Sequence, residues 1–190
     1  DSNDIGYTNG ACKALFSLGN VYVLQGEYAL ALTSLNKALT ISQQNNLMKE
    51  MAEIFNQLAK VHTLSAADHN TAIDYLNRAI TIASDNDQTT TLRDCYIQMG
   101  TIIIDQGLYS EGKAYYEKAL AVNEQIGDKR AATTIYKSLG NIFAKIGRFD
   151  DAIFQYHKGI RSAQESGDKK NELGLLGELG TLYLNMGQYE

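Results

Sequence analysis

The stretch LGNIFAKIGRF, residues 139–149, contains the pattern that decides the fold. A Leu-Gly pair is followed, four residues after the leucine, by a large apolar side chain and then by a Gly-x-aromatic triplet. The pair or a close equivalent recurs at Leu18-Gly19, Leu58-Ala59, Met99-Gly100, Leu139-Gly140 and Leu179-Gly180. These pairs are 40, 41, 40 and 40 residues apart. A fixed period of this length is typical of repeat proteins.

Each half of a repeat has the apolar spacing of an α-helix. In the first repeat Leu15, Leu18, Gly19 and Tyr22 lie at positions i, i+3, i+4 and i+7, whereas no segment alternates as a β-strand does. We therefore expect each repeat to be a helix pair whose first helix packs through Leu15, Leu18 and Tyr22. The predicted helices are residues 9–25, 28–45, 48–64, 70–85, 88–106, 109–126, 129–146, 149–166 and 169–186.

Turn-forming residues separate these helices. A glycine divides the two halves of four repeats, in Gly26-Glu27-Tyr28, Gly107-Leu108-Tyr109, Gly147-Arg148-Phe149 and Gly187-Gln188-Tyr189. The second repeat has no such glycine and is one residue longer, with Ser65-Ala66-Ala67-Asp68-His69-Asn70 in its place. Between repeats, Gly127-Asp128 and Gly167-Asp168 predict a left-handed C-cap followed by an N-cap. We expect Asp85-Asn86-Asp87 to do the same after the second repeat.

Small residues recur where two helices have to approach each other. Gly19 and Ala31, with their equivalents in other repeats, leave room for the opposite helix, and Tyr22 and Leu35 are expected to fill the space between the pair. The segment 169–186 differs because it contains three interior glycines, Gly174, Gly177 and Gly180. Interior glycine weakens a helix, so we expect this segment to be the most mobile one.

This combination of Leu-Gly, Tyr, Gly-x-Tyr, Ala, Leu or Tyr, and Ala resembles the tetratricopeptide repeat over residues 12–190. The period of 40 residues is similar to that of spindle adaptors, kinesin light chains and bacterial peptide sensors. The resemblance implies an all-α, right-handed superhelical α-solenoid of antiparallel helix pairs with about 4.5 repeats. We expect one array over residues 1–190, a fragment of a longer protein, with repeats at 12–46, 47–86, 87–127, 128–167 and an incomplete 168–190.

In that family a second stripe of the first helices lines a concave groove that partners contact. The resemblance therefore implies a non-enzymatic scaffold that binds a protein or peptide segment through this groove. The corresponding residues here are Lys13, Phe16, Asn20, Asn56, Lys60, Ile97, Thr101, Lys137 and Asn141. Asparagine can both donate to and accept from a peptide backbone, but each polar side chain could instead be a solvated face or a helix–helix hydrogen bond.

Two alternative functions remain open at this point. The chain could be the sensory or regulatory arm of a larger signalling protein, or it could be an oligomerisation element. The second interpretation follows from the incomplete last repeat, which leaves Leu179, Leu182 and Tyr183 without a capping helix and would allow a homodimer.

Part of the family's carboxylate clamp is also present. Lys137 and Asn141 have the Lys-x-x-x-Asn spacing with which chaperone-binding members hold a C-terminal carboxylate. Phe16 stands where the clamp needs a second lysine, and Glu178 lies where a neutral or basic group would help. The departure from the family pattern argues against a clamp and favours a mixed apolar and polar groove.

The composition excludes several other functions. The 190 residues contain 17 Lys and Arg against 22 Asp and Glu, a net charge of −5, which opposes general binding to nucleic acid or anionic membranes. There is no proline, and the two cysteines, Cys12 and Cys95, are expected to be reduced packing residues. No motif predicts a catalytic centre, a metal or a cofactor. We expect a cytoplasmic protein.

Overall fold

The computed structural model describes residues 2–66 and 68–187, and the side chains of residues 8–65 and 68–187. Over these ranges the chain forms nine α-helices and no strand. They are α1 (Ser2–Gln25), α2 (Tyr28–Gln44), α3 (Met48–Ala66), α4 (His69–Asp85), α5 (Thr89–Asp105), α6 (Tyr109–Ile126), α7 (Lys129–Lys145), α8 (Phe149–Glu165) and α9 (Lys169–Asn185). The all-α class and the helix pairs are therefore confirmed.

The predicted helix boundaries are within two residues of those observed, with one exception. Helix α1 begins at Ser2, whereas the sequence predicts a start at residue 9. The prediction was wrong because the apolar period begins only near residue 9. Helical backbone hydrogen bonding can continue through polar residues that carry no such period, and no proline interrupts it.

The helices divide into two compact units, Asp1–Ile102 and Ile103–Glu190. In the first unit α2 packs on α1, α3 on α2, and α4 on α3. In the second unit α7 packs on α6, α8 on α7, and α9 on α8. First helices of successive repeats also meet within each unit, as α1 with α3 and α7 with α9. Each unit therefore places several first helices side by side.

The turns use the chemistry that the sequence predicts. Gly107 and Gly147 adopt φ of 82° and 77°, the left-handed conformation that glycine accepts without a steric cost. The Asp128 carboxylate accepts hydrogen bonds from the backbone N–H groups of Arg130 and Ala131, at 3.0 and 3.1 Å. Asp168 accepts one from the N–H of Asn171 in the same way. Of the residues named for these turns, Ala67, Gln188 and Tyr189 lie outside the described part of the chain.

We predict that Asp128→Ala lowers the free energy of unfolding by about 1 kcal/mol, since the first turn of α7 loses its acceptor. Urea denaturation of both proteins measures the difference. Asp85→Ala is a suitable control, because Asp85 is an exposed residue at the carboxyl end of α4 with no capping role. Equal losses from the two substitutions would contradict the capping role.

The segment Asp85-Asn86-Asp87 does only part of what the sequence predicts. Asn86 caps the end of α4, because its side-chain Nδ2 donates to the carbonyl of Ile82 at 2.8 Å. Asp87 does not cap α5. Its φ is 55°, so it occupies the left-handed position that Gly127 holds after the next repeat. Gln88 consequently lies at the N-cap position of α5.

The Leu-Gly column forms much of the core, with one correction. Leu58, Met99, Leu139 and Leu179 are all buried, but Leu18 is 41% exposed and so is not the packing residue that the sequence predicts. Leu18 belongs to α1, which packs on α2 and α3. Periodicity assigns a residue to a stripe but does not say whether a neighbour covers it.

Close helix approach at the small residues is confirmed. A Cβ added at Gly19 would lie 2.8 Å from Leu35 Cδ2. Leu35 itself is fully buried. Cys12 and Cys95 are buried free thiols, also as predicted. Burial raises the pKa of the Cys95 thiol to about 12, so this side chain acts as a packing residue and not as a nucleophile.

Candidate functional site

A groove of about 670 Å³ lies in the first unit beside the first helices α1, α3 and α5. We call it the first-unit groove. Its lining residues are Phe16, Lys49, Glu53, Asn56, Gln57, Asn86, Asp87, Gln88, Thr89, Thr90, Thr91 and Asp94. The lining comes from α1, α3, residues 86–88 of the α4–α5 linker and the first two turns of α5. The groove is therefore built by several repeats together.

Most of the lining consists of amide and hydroxyl side chains, and Phe16 adds an apolar one. Such groups can both donate and accept hydrogen bonds, as a peptide backbone does. Asn56 is partly committed to the scaffold. Its Oδ1 accepts from Gln98 Nε2 at 2.7 Å and from the Cys95 thiol at 3.2 Å, which ties α3 to α5. For Asn56 the interpretation as a helix–helix hydrogen bond is thus correct.

The Gln88 side chain makes no hydrogen bond of this kind. Its side-chain oxygen and nitrogen are both enclosed and have no hydrogen-bond partner among the described residues. The equivalent residues Asp128 and Asp168 accept N–H groups of the following helix, whereas Gln88 caps nothing. A buried amide without partners is costly. Gln88 also lines the groove.

Carboxylates outnumber cations in the lining. Glu53, Asp87 and Asp94 face a single lining cation, Lys49. Asp94 is neutralised by the buried Arg93, whose Nη2 lies 2.7 Å from its Oδ1. Burial is the main cause that raises the pKa of the Glu53 carboxyl, against the opposing charge of Lys49. The groove therefore has an acidic character with one partly desolvated carboxyl group.

The second unit has a smaller pocket of about 250 Å³ between α7 and α9. Asn141, Lys145, Tyr156, Glu178 and Thr181 are among its lining residues. Asn141 Oδ1 accepts a hydrogen bond from the Tyr156 hydroxyl at 2.7 Å, so this asparagine also supports the helix pair. Burial, with a contribution from Glu178, raises the pKa of Tyr156 to about 12. The hydroxyl is therefore a donor at neutral pH.

The nine predicted site residues are distributed unevenly. Phe16 and Asn56 line the first-unit groove, and Asn141 lines the pocket of the second unit. The other six line neither cavity; they are Lys13, Asn20, Lys60, Ile97, Thr101 and Lys137. Some have partners of their own.

Those partners lie within the scaffold. Lys13 Nζ is 3.6 Å from Glu50, Lys137 Nζ is 3.4 Å from Glu178, and the Thr101 hydroxyl donates to the carbonyl of Ile97 at 3.0 Å. Sequence reasoning missed residues 86–91, although aligning Asp87-Gln88 with Gly127-Asp128 would have indicated an unusual linker.

Among the described residues no group of three or more His, Cys, Asp and Glu side chains is placed to hold a metal ion. None of the helices in the described part of the chain is long and apolar enough to cross a membrane.

Comparison with known proteins identifies the repeat. The sequence profile described as Tetratricopeptide repeat matches residues 10–85 and 90–165, most of the chain. Among curated protein sequences nothing matches.

Solved structures with the same fold include BtubC from P. vanneervenii (13% identity, 100% of this chain and 86% of that one, TM-score 0.74). The STAND protein PH0952 from Pyrococcus horikoshii, described as having a tetratricopeptide repeat sensor, is 16% identical over 91% of this chain and 27% of that one, with a TM-score of 0.78. The predicted tetratricopeptide fold is therefore confirmed.

A further similar structure is the apo form of the quorum sensor NprR from B. thuringiensis (17% identity, 93% of this chain and 49% of that one, TM-score 0.75). NprR has also been solved in complex with its cognate peptide NprX (18%, 93% and 50%, TM-score 0.68). The present chain thus spans about half the length of NprR.

Proposed function

Because the chain belongs to the tetratricopeptide repeat family, we propose that it is a non-enzymatic scaffold that holds an extended segment of a protein partner in the first-unit groove. The observation that carries this proposal is the groove itself, with its enclosed and unpartnered Gln88 amide. A volume of about 670 Å³ lies in the range of sites that bind drug-sized molecules.

The chemistry of the lining supports a peptide as the occupant. An extended segment presents N–H and C=O groups at regular intervals, and Asn, Gln and Thr side chains can satisfy both. Phe16 offers an apolar surface for one side chain of that segment. The binding of NprX by NprR is consistent with this use of the fold, although the sequence identity of 18% supports the fold alone.

We predict that Gln88→Ala weakens peptide binding at least about fivefold while leaving stability unchanged or higher. The substitution removes an amide that no described residue satisfies, so the free protein loses nothing when it is truncated. A phage library of random 12-residue peptides is selected on the full chain, and the selected peptides are then synthesised. Isothermal titration calorimetry measures their dissociation constants, and thermal denaturation measures the stability of each variant.

The matched control is Gln44→Ala, at an exposed position at the end of α2 outside the groove. It should leave peptide binding unchanged. Gln88 is a better test position than Asn141, since replacing Asn141 removes the acceptor of the Tyr156 hydroxyl and would cost stability. A library that yields no binder, or binders indifferent to Gln88→Ala, would argue against the groove.

One observation favours self-association as a second candidate function. Helix α9 has three exposed leucines, Leu173, Leu176 and Leu184, with 68%, 48% and 55% of their surfaces accessible. They are not the residues that the sequence predicts to be uncovered, because Leu179 and Leu182 are buried and Tyr183 packs partly buried against the same core. A homodimer through α9 would cover the exposed leucines instead. The roles as an oligomerisation element or as the arm of a signalling protein stay predictions, as do the cytoplasmic location, the absence of catalysis and cofactors, and the absence of nucleic-acid and membrane partners.

A further inference from the structure

We propose that the segment bound in the first-unit groove carries a Lys or Arg side chain that pairs with Glu53. This inference rests on the proposed function and specifies the class of partner. It differs from the carboxylate clamp suggested by Lys137 and Asn141, because the ligand group here is a cation and the receiving group is a carboxylate.

The charges of the groove point to a cation. Of the three lining carboxylates, Asp94 already has Arg93 as its partner. Glu53 and Asp87 make no ion pair within 4.0 Å with any described residue. Lys49 is the one cation in the described lining; its charge and that of Lys13 on α1 act to lower the pKa of Glu53, but burial outweighs them. The scaffold therefore leaves two carboxylates of the groove without a direct counter-charge.

Glu53 is the better placed of the two. It lies on α3, one helical turn from Asn56, in the wall of the groove, and its side chain is only partly accessible. Burial raises its pKa, so the free protein holds this carboxylate in an unfavourable environment. Burial takes water away from the carboxylate, and a cation from a partner would replace that water through a charge-assisted hydrogen bond. Asp87 is exposed and needs no such compensation.

Neighbouring polar groups would position the rest of the segment. Gln57 and Asn56 lie on the same helix as Glu53, and Gln88, whose amide has no partner among the described residues, lines the same groove. Phe16 provides an apolar wall, on which the aliphatic stem of a Lys or Arg side chain can lie. The groove thus offers a carboxylate for the head of the side chain and an apolar surface for its stem.

The test uses the random-peptide library on the full chain and on Glu53→Gln. Peptides selected on the unsubstituted chain should be enriched in Lys or Arg at one position, and Glu53→Gln should weaken their binding about five- to tenfold. Glu27→Gln is the control, because Glu27 is an exposed residue of the same unit outside the groove and its replacement changes the net charge equally. It should leave the dissociation constant unchanged.

A peptide variant makes the pairing specific. Replacing the enriched Lys or Arg by norleucine should weaken binding to the unsubstituted chain about as much as Glu53→Gln does, and should weaken binding to Glu53→Gln no further. The unfolding temperature of Glu53→Gln should equal or exceed that of the unsubstituted chain, since a partly buried charge without a partner is removed. A Glu53→Gln chain that melts earlier would instead assign the residue a structural role and overturn the inference.

The two proposals fail in different ways. Selected peptides that depend on Gln88 but lack a preferred Lys or Arg, or that bind Glu53→Gln as well as the unsubstituted chain, overturn the cationic anchor and leave the groove in place. Peptides that are indifferent to both Gln88→Ala and Glu53→Gln overturn the groove and the anchor together.

Discussion

Gly140→Ala is expected to lower the free energy of unfolding by about 1–3 kcal/mol, although alanine is the better helix former. The added Cβ would lie 2.5 Å from Tyr156 Cε1 and 2.6 Å from Cδ1, well inside van der Waals contact. The Tyr156 ring is 2% exposed and its hydroxyl is hydrogen-bonded to Asn141, so the ring cannot move away freely. Overpacking should therefore outweigh the gain in helix propensity, which is at most about 1 kcal/mol.

The second repeat provides a rescue variant. It has Ala59 where the fourth repeat has Gly140, and opposite it has Leu76 where the fourth has Tyr156. Both Ala59 and Leu76 are fully buried. Combining Gly140→Ala with Tyr156→Leu reproduces this pair and should recover part of the lost stability, because the branched side chain leaves room for the methyl group.

Thermal and urea denaturation measure both effects. A loss of 1 kcal/mol lowers the melting temperature of a chain of this size by about 2–4 °C. Gly180→Ala is the matched control, since a Cβ there meets nothing within 4 Å. A Gly140→Ala protein at least as stable as the unsubstituted chain would show that the α7–α8 contact is looser than the structure indicates.

The triple variant of Gly174, Gly177 and Gly180 to alanine should raise the free energy of unfolding by up to about 3 kcal/mol, about 1 kcal/mol for each position. All three are exposed residues inside α9. A Cβ at Gly177 or Gly180 meets nothing within 4 Å, and one at Gly174 meets only the flexible end of Lys137, at 4.0 Å. Steric cost should therefore not offset the gain in helix propensity.

Amide hydrogen exchange of α9 measures the local effect, and urea denaturation measures the global one. If α9 is the most mobile helix, as its glycines predict, its amides should exchange fastest in the unsubstituted chain and slow down in the triple variant. Gly159→Ala is a contrasting control within the same unit, because its Cβ would lie 2.9 Å from Leu175 Cδ1 and should bring no gain. Unchanged exchange in α9 would refute the link between these glycines and mobility.

Local signals account for the parts of the fold that could be predicted. The helical spacing of apolar residues and the glycine turns act within a few residues of one another, and the 40-residue period repeats them along the chain. Gly147 and Asp128 show this well, since a left-handed φ and an N-cap need only neighbouring residues to form. The start of α1 was missed because its first turns carry no apolar period.

The candidate site depended on contacts that cross repeats. The predicted stripe includes Phe16 and Asn56, but the groove is also lined by residues 86–91, which the stripe does not include. Asn56 and Asn141 belong to the same sequence pattern, yet one bonds to Gln98 of the next first helix and the other to Tyr156 of its own pair. Leu18 and Leu58 also belong to one sequence pattern, yet Leu18 is exposed and Leu58 is buried by its neighbours in the fold.

The sequence by itself therefore determined the helices, their turns and the repeat family, because each follows from interactions between residues close together in the chain. Only the tertiary structure decided which polar side chains are bonded within the scaffold and which have no partner among the described residues. The physical reason is that hydrogen-bond satisfaction and burial depend on the neighbouring helix, as the free amide of Gln88 and the partly buried carboxyl of Glu53 show.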